Sequence, residues 1–247
     1  MLKHPTIQKL QTLKLFAMAE ALAEDAATGN DAKLVFEDRL GLIVDREISA
    51  RASRQLTRRL QRAKLRYQAA IEDVDFAKAR SLDKSLILDL ASCNYIQKHH
   101  NILLSGATGA GKSFLACALG HRACREGFTA AYFNIAHLGE AFDAARADGG
   151  FPKLMRELGR VDLLVIDDFG LVPLTPRQKQ DLWRIFEDRY ELRSTIITSQ
   201  FPIAKWHDLI ADPTIADAIL DRIAHNAYKI ELKGGSLRKA QRSDGKK

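Results

Sequence analysis

Gly106-Ala-Thr-Gly-Ala-Gly-Lys-Ser113 follows a short apolar run at residues 102–104 and opens a stretch rich in Ala and Leu, so a strand, a glycine loop and a helix are expected in that order. Gly106, Gly109 and Gly111 let the backbone take positive φ and turn its N–H groups inward, and the helix N-terminus adds the positive end of its dipole. Such a loop is a cradle for phosphate, and its spacing is that of a Walker A motif. In that role Lys112 supplies a mobile charge for the β- and γ-phosphates of a nucleotide, and the Ser113 hydroxyl is a ligand for Mg²⁺. Ala107, Thr108, Ala110 and Phe114 complete the stretch expected to touch nucleotide.

Downstream, Leu163-Leu-Val-Ile166 is a continuous apolar run that ends in Asp167-Asp168, as a strand buried on both faces of a parallel sheet would. The pattern is that of a Walker B motif. Asp167 stands where a carboxylate can face Mg²⁺, and Asp168 can orient or polarise the water that attacks the γ-phosphate. Further strands are expected at residues 129–133, 195–199 and 228–232, with a helix at 136–147. Ser199 and Gln200 fall at the carboxyl edge of the fourth strand, where polar side chains point at the ligand crevice of an open α/β sheet, so one of them is expected to sense the γ-phosphate.

Residues 1–75 read as helical. Leu15, Met18 and Leu22 recur at helical spacing, Thr28-Gly-Asn-Asp breaks the run, and Phe36, Leu40, Ile43, Val44 and Ile48 mark the apolar stripe of a second helix. Seven cations follow with no acid among them: Arg51, Arg54, Arg58, Arg59, Arg62, Lys64 and Arg66. A solvated helix face ordinarily carries both signs, so the missing sign favours binding to a phosphate backbone, with Arg51, Arg54, Arg58, Arg59 and Arg62 as DNA contacts. Lys153, Arg156 and Arg160 form a second cluster after Asp148-Gly-Gly, where nucleic acid and plain solvation are equally good readings. The boundary to the second domain, 76–247, is expected near Glu72-Asp-Val-Asp75.

The chain has 247 residues, 46% hydrophobic composition and a formal net charge of +7, which suits a well-buried core and allows an acidic partner. No apolar run approaches the ~20 residues needed to span a bilayer, and charges interrupt any signal-peptide core in residues 1–30, so a cytoplasmic protein with no membrane partner is expected. Cys93, Cys117 and Cys124 show neither CxxC nor Cys/His ligand spacing, which leaves core packing for the pair Cys117 and Cys124.

The strand between the two Walker motifs and the second acid at Asp168 resemble the AAA+ ATPases. Closer still, Leu164-Val-Ile-Asp-Asp-Phe-Gly170, Thr195-Ile-Ile-Thr-Ser-Gln200, Ala216-Asp-Ala-Ile-Leu-Asp-Arg222, Gly235-Ser-Leu-Arg-Lys239 and Leu42-Ile-Val-Asp-Arg-Glu47 resemble the IstB family of transposition helper ATPases, relatives of bacterial helicase loaders and initiators. The resemblance spans nearly the whole chain. It implies an α/β fold, a P-loop AAA+ core with a five-stranded parallel sheet flanked by helices, behind a small all-helical N-terminal domain. It also implies that Arg222 reaches the γ-phosphate held by a neighbouring subunit, and that Arg238 is a second sensing position. Too few residues follow the last strand for a separate helical lid, so Arg238 can instead touch DNA with Lys239 and Arg242 or belong to a short, disordered basic C-terminal tail.

The function implied is an ATP- and Mg²⁺-dependent helper that oligomerises on duplex DNA, largely without sequence preference, and recruits or activates a cognate transposase. ATP would bridge subunits through Arg222, and its hydrolysis would release the array. No acidic triad for DNA cleavage accompanies the Walker B pair, so cutting belongs to a partner. A replicative helicase loader shares the motor and differs in partner. A small-molecule kinase could use the same loop but has no use for Arg222 in trans or for a basic helix.

Overall fold

The computed structural model describes residues 5–28, 34–76 and 82–233, and the chain divides into two compact units, Met1–Arg58 and Arg59–Lys247. The division falls inside a helix, not at the acidic stretch near residue 75, because the end of that helix and the segment after it pack with the second unit.

The first unit holds α1 (Pro5–Thr12), α2 (Phe16–Thr28) and most of α3 (Phe36–Ala63). Its α2–α3 contact is polar. Glu47 of α3 is buried and accepts hydrogen bonds from the backbone N–H groups of Ala17 (2.8 Å) and Met18 (3.1 Å), which start α2 and have no carbonyl partner within that helix. Arg39 pairs with Asp25, and Arg46 pairs with Glu24. The small residues Ala17, Ala19 and Ala21 are the buried residues of α2. This corrects the expected apolar stripe: Phe36, Leu40, Val44 and Ile48 lie on the exposed side of α3, because its packing face is set by Glu47 and its ion pairs.

The second unit continues with a 3₁₀ turn at Ile71–Asp73, α4 (Lys84–Ala91) and α5 (Asn94–Gln97). Then come β1 (Asn101–Gly106), α6 (Lys112–Arg125), β2 (Ala130–Asn134), α7 (Ile135–Ala147), α8 (Phe151–Arg160), β3 (Leu163–Asp167), α9 (Pro176–Arg189), β4 (Ser194–Ser199), α10 (Trp206–Ile210), α11 (Pro213–Ala224) and β5 (Ala227–Leu232). The five strands form one parallel sheet in the order β2-β3-β4-β1-β5. β4 therefore lies between the strand that leads into the glycine loop and the strand that ends in the two acids.

Strand alternation decides which side chains meet. Leu103, Ile166 and Ile197 share one face, packed with Ile135, Leu138 and Phe142 of α7, Leu182, Ile185 and Phe186 of α9, and Ile219 and Ile223 of α11. Ile102, Val165 and Ile196 lie on the opposite face, where α6 buries Leu115, Ala116, Cys117, Ala118, Leu119 and Cys124. By the same period of two, Asp167 and Thr198 project to the α6 side. Cys117 and Cys124 are core residues, with thiol pKa values raised by burial, to about 11 for Cys124.

At the opposite end of the sheet, Arg189 of α9 is 2% exposed and donates to the carbonyls of Leu158 (2.7 Å), Val161 (2.7 Å) and Ser194, and to Thr195 Oγ1 (3.1 Å). Burial pulls its pKa down to about 9, while acceptors that only the charged form can satisfy keep it protonated at neutral pH. Among the described residues no helix is long and apolar enough to cross a membrane.

Candidate functional site

The glycine loop joins β1 to α6 as its spacing requires. Gly106 has φ +144°, and an added Cβ would sit 2.3 Å from the carbonyl oxygen of Leu232, its partner on β5. Gly109 (φ +83°) and Gly111 (φ +97°) complete the turn, and Gly111 is the N-cap of α6. Lys112 is buried, with Nζ donating to the carbonyls of Gly106 (2.8 Å) and Ala107 (2.9 Å).

Asp167 is fully buried at the end of β3 and gathers hydroxyls from three directions. Ser113, in the first turn of α6, donates to Oδ1 at 2.7 Å, Thr198 of β4 donates to the same oxygen, and Tyr132 of β2 donates to Oδ2. Burial, then the hydrogen bond to Asp167, pushes the Tyr132 phenol well above the usual tyrosine range, so it stays a donor. Arg66, on the segment after α3, places Nη1 3.5 Å from Asp167 Oδ2 and 3.7 Å from Asp168 Oδ2.

Asp168 holds a left-handed backbone conformation, φ +60°, which aspartate tolerates better than most residues and which turns its carboxylate away from the strand line. Its Oδ2 accepts from Asn134 Nδ2 at 2.9 Å, and its N–H donates to Thr198 Oγ1 at 3.2 Å. Asn134 also N-caps α7 by accepting from the Ala136 N–H at 3.0 Å, so the amide is fixed at both ends.

The tip of β4 separates the two candidate sensors. Gln200 Oε1 accepts from Thr108 Oγ1 of the glycine loop at 2.7 Å. Ser199 is fully buried, donating to the Phe169 carbonyl at 2.7 Å and accepting from the Phe201 N–H at 3.2 Å. Its hydroxyl thus braces the turn after β3, and Gln200, the residue just past β4, is the one at the glycine loop.

Ser113 Oγ and Asp167 Oδ1 are hard oxygen donors already side by side, a set that fits Mg²⁺. Among the described residues no group of three or more His, Cys, Asp or Glu could hold a metal alone. A cation here would complete its shell with phosphate oxygens and water.

Arg222 lies in the last turn of α11 and is outside this network. Its guanidinium pairs with Glu187 (2.7 Å) and Asp221 (2.6 Å) and lies 4.7 Å from the centre of the Tyr190 ring. Arg51 (2.8 Å) and Arg54 (3.1 Å) both pair with Glu47, so two of the seven cations share a carboxylate one turn before the run. Arg59 donates to the Cys124 carbonyl at 3.4 Å, while Arg58 and Arg62 are exposed. Lys153 and Arg156 are exposed on α8. Arg238, Lys239 and Arg242 lie outside the described residues.

Four site residues escaped the sequence reading. Tyr132 and Asn134 are two apart on β2, in register with Val165 and Asp167, so strand alternation alone carried their signal. Thr198 was hidden beside Ser199 until the phase of β4 was known. Arg66 had no signal beyond membership of a basic run.

Residues 8–245 match the family profile described as IstB-like ATP binding protein. A putative insertion sequence ATP-binding protein of Sinorhizobium fredii is 48% identical over 242 residues, 98% of this chain and 99% of that one. Among solved structures, AMPPCP-bound DnaA from Aquifex aeolicus is similar with a TM-score of 0.59 at 21% identity, over 73% of this chain and 55% of that chain. The DnaC helicase loader is similar with a TM-score of 0.54 at 20% identity, over 71% of this chain and 99% of that chain. These two likenesses speak for the fold alone, the P-loop AAA+ fold. With a profile matched over nearly its full length and a near-half-identical relative, this chain belongs to the family of IstB-like ATP-binding proteins.

Proposed function

We propose that this protein is a Mg²⁺-dependent ATPase that assembles on duplex DNA and recruits or activates a transposase, with hydrolysis controlling disassembly. The observation that carries the ATPase reading is the junction of three strand ends. Ser113 and Thr198 both donate to Asp167, Asn134 donates to Asp168, and Thr108 meets Gln200. That relatives of this chain are named insertion sequence ATP-binding proteins supports transposition over helicase loading.

The chemistry follows from the placements. Glycine-loop N–H groups and Lys112 would hold the phosphates of ATP, and Ser113 and Asp167 would hold Mg²⁺, which when bound neutralises charge on the β- and γ-phosphates. Asp168, near that position but held by Asn134, would accept a hydrogen bond from the attacking water and align it with the γ-phosphorus. Gln200 would report the phosphate to the loop through Thr108. Arg222, from a neighbouring subunit, would leave Glu187 and Asp221 to neutralise charge developing on the transferred phosphoryl group. Arg58 and Arg62 would contact DNA phosphates, with Lys153 and Arg156 as a second surface.

The test is ATP hydrolysis by the purified chain with and without duplex DNA, beside Lys112→Ala. Mg²⁺-dependent hydrolysis that DNA stimulates and Lys112→Ala abolishes is expected. Equal turnover in the variant would overturn the assignment.

A further inference from the structure

The segment that leaves α3 is docked on α6 and delivers one arginine to the two acids. Ala63, the last residue of α3, is fully buried, and Lys64 makes a left-handed turn at φ +50°. Leu65 then lies so close to Gly120 of α6 that an added Cβ would meet its side chain at 3.0 Å. Beyond it, Ala69 and Ile71 are buried, and Glu72 pairs with Arg125 of α6 at 3.1 Å. With buried anchors on both sides, Arg66 is placed by the backbone and not by a chance rotamer of a loose loop.

Its surroundings are specific. The guanidinium lies 3.5 Å from Asp167 and 3.7 Å from Asp168, and a hydrogen bond with Tyr132 is the largest influence raising its pKa. Tyr132 in turn donates to Asp167. Asp167 therefore has Ser113 and Thr198 on one oxygen and Tyr132 and Arg66 on the other. A guanidinium and a divalent cation on one carboxylate repel each other, and the interaction is strong where the acid is fully buried. The Arg66 side chain is 44% exposed, so it has solvent to move into.

We propose that Arg66 is a positioning residue that competes with the divalent cation for Asp167 and Asp168, and so sets how much Mg²⁺ the site requires before it holds nucleotide. The inference rests on the ATP reading above. It makes the segment after the basic helix part of the nucleotide site. A neutral residue at position 66 removes the competing charge from beside the carboxylates, whereas a lysine keeps it.

The test is equilibrium binding of a fluorescent ADP analogue (mant-ADP) to the full chain at increasing Mg²⁺, for the unmodified protein, Arg66→Ala and Arg66→Lys. Arg66→Ala is expected to lower the half-saturating Mg²⁺ about tenfold, one like charge being removed from beside the ligand. Arg66→Lys should stay near the unmodified value, and both variants should keep the same affinity at saturating Mg²⁺, which also shows that the nucleotide pocket is folded in each. An unchanged Mg²⁺ midpoint in Arg66→Ala overturns the proposal. So does weaker mant-ADP binding at saturating Mg²⁺, since the guanidinium would then be a phosphate ligand. Failure of the unmodified chain to bind mant-ADP at any Mg²⁺ level would overturn the ATP reading itself and this proposal with it.

Discussion

Thr198→Val replaces one buried hydroxyl by a methyl of nearly the same size. Thr198 is fully buried, donates to the Asp167 carboxylate and accepts from the Asp168 N–H at 3.2 Å. Loss of the bond to a charged acceptor costs about 1.5–3 kcal/mol, and the Asp168 N–H left without a partner adds about 1 kcal/mol, for roughly 3 kcal/mol together. Both tryptophans of the chain, Trp183 and Trp206, belong to the second unit, and Trp206 is fully buried. Urea unfolding followed by tryptophan fluorescence therefore reads that unit, and the midpoint should fall with little change in slope. Nucleotide binding should survive because the glycine loop and Lys112 are untouched, while hydrolysis falls about 10- to 100-fold as the two acids lose a shared orienting group. Stability within about 0.5 kcal/mol of the unmodified chain, together with undiminished hydrolysis, would refute the reasoning.

Three further outcomes are expected. Glu47 has its carboxyl held below the ordinary 4.5, first by the hydrogen bond with Arg51. A depressed carboxyl stabilises above the unfolded pKa and loses that contribution as pH falls through the folded one, so helical circular dichroism should drop below pH ~4.5 more steeply than in Glu47→Gln. Arg189→Met strips donors from the Leu158, Val161 and Ser194 carbonyls and should cost about 3 kcal/mol or more in the same urea assay, without shifting the Mg²⁺ requirement. Replacing Arg58 and Arg62 by Ala should reduce the slope of log affinity against log salt for duplex DNA by about two, whatever the sequence; an unchanged slope removes α3 from the interface.

The sheet and its two motifs were legible because their signals are local. Gly106 to Ser113 states a backbone conformation residue by residue, and Leu163 to Asp168 states burial followed by charge at a strand end. What escaped depends on which face a residue takes or on which segment crosses which. Ser199 and Gln200 read alike until the phase of β4 turned one inward to Phe169 and the other to Thr108. The α3 stripe misled because Phe36, Leu40, Val44 and Ile48 satisfy a helical period, yet the buried side of α3 is organised by Glu47, a charged residue whose bonds to Ala17 and Met18 outweigh apolar preference. The seven cations read as one surface, but Arg51 and Arg54 share Glu47, Arg59 meets Cys124, and Arg66 is drawn to the acids. Only spatial neighbours separate those roles.

In the proposed mechanism the glycine loop of one subunit and Arg222 of another complete a single ATPase site. Its most direct measurement is hydrolysis by Lys112→Ala and Arg222→Ala, each alone and then mixed, on duplex DNA. Each variant alone should be inactive, and the mixture should regain a substantial fraction of turnover, because some interfaces then pair an intact loop with an intact arginine. Full hydrolysis by Arg222→Ala alone, or no recovery on mixing, would contradict the account.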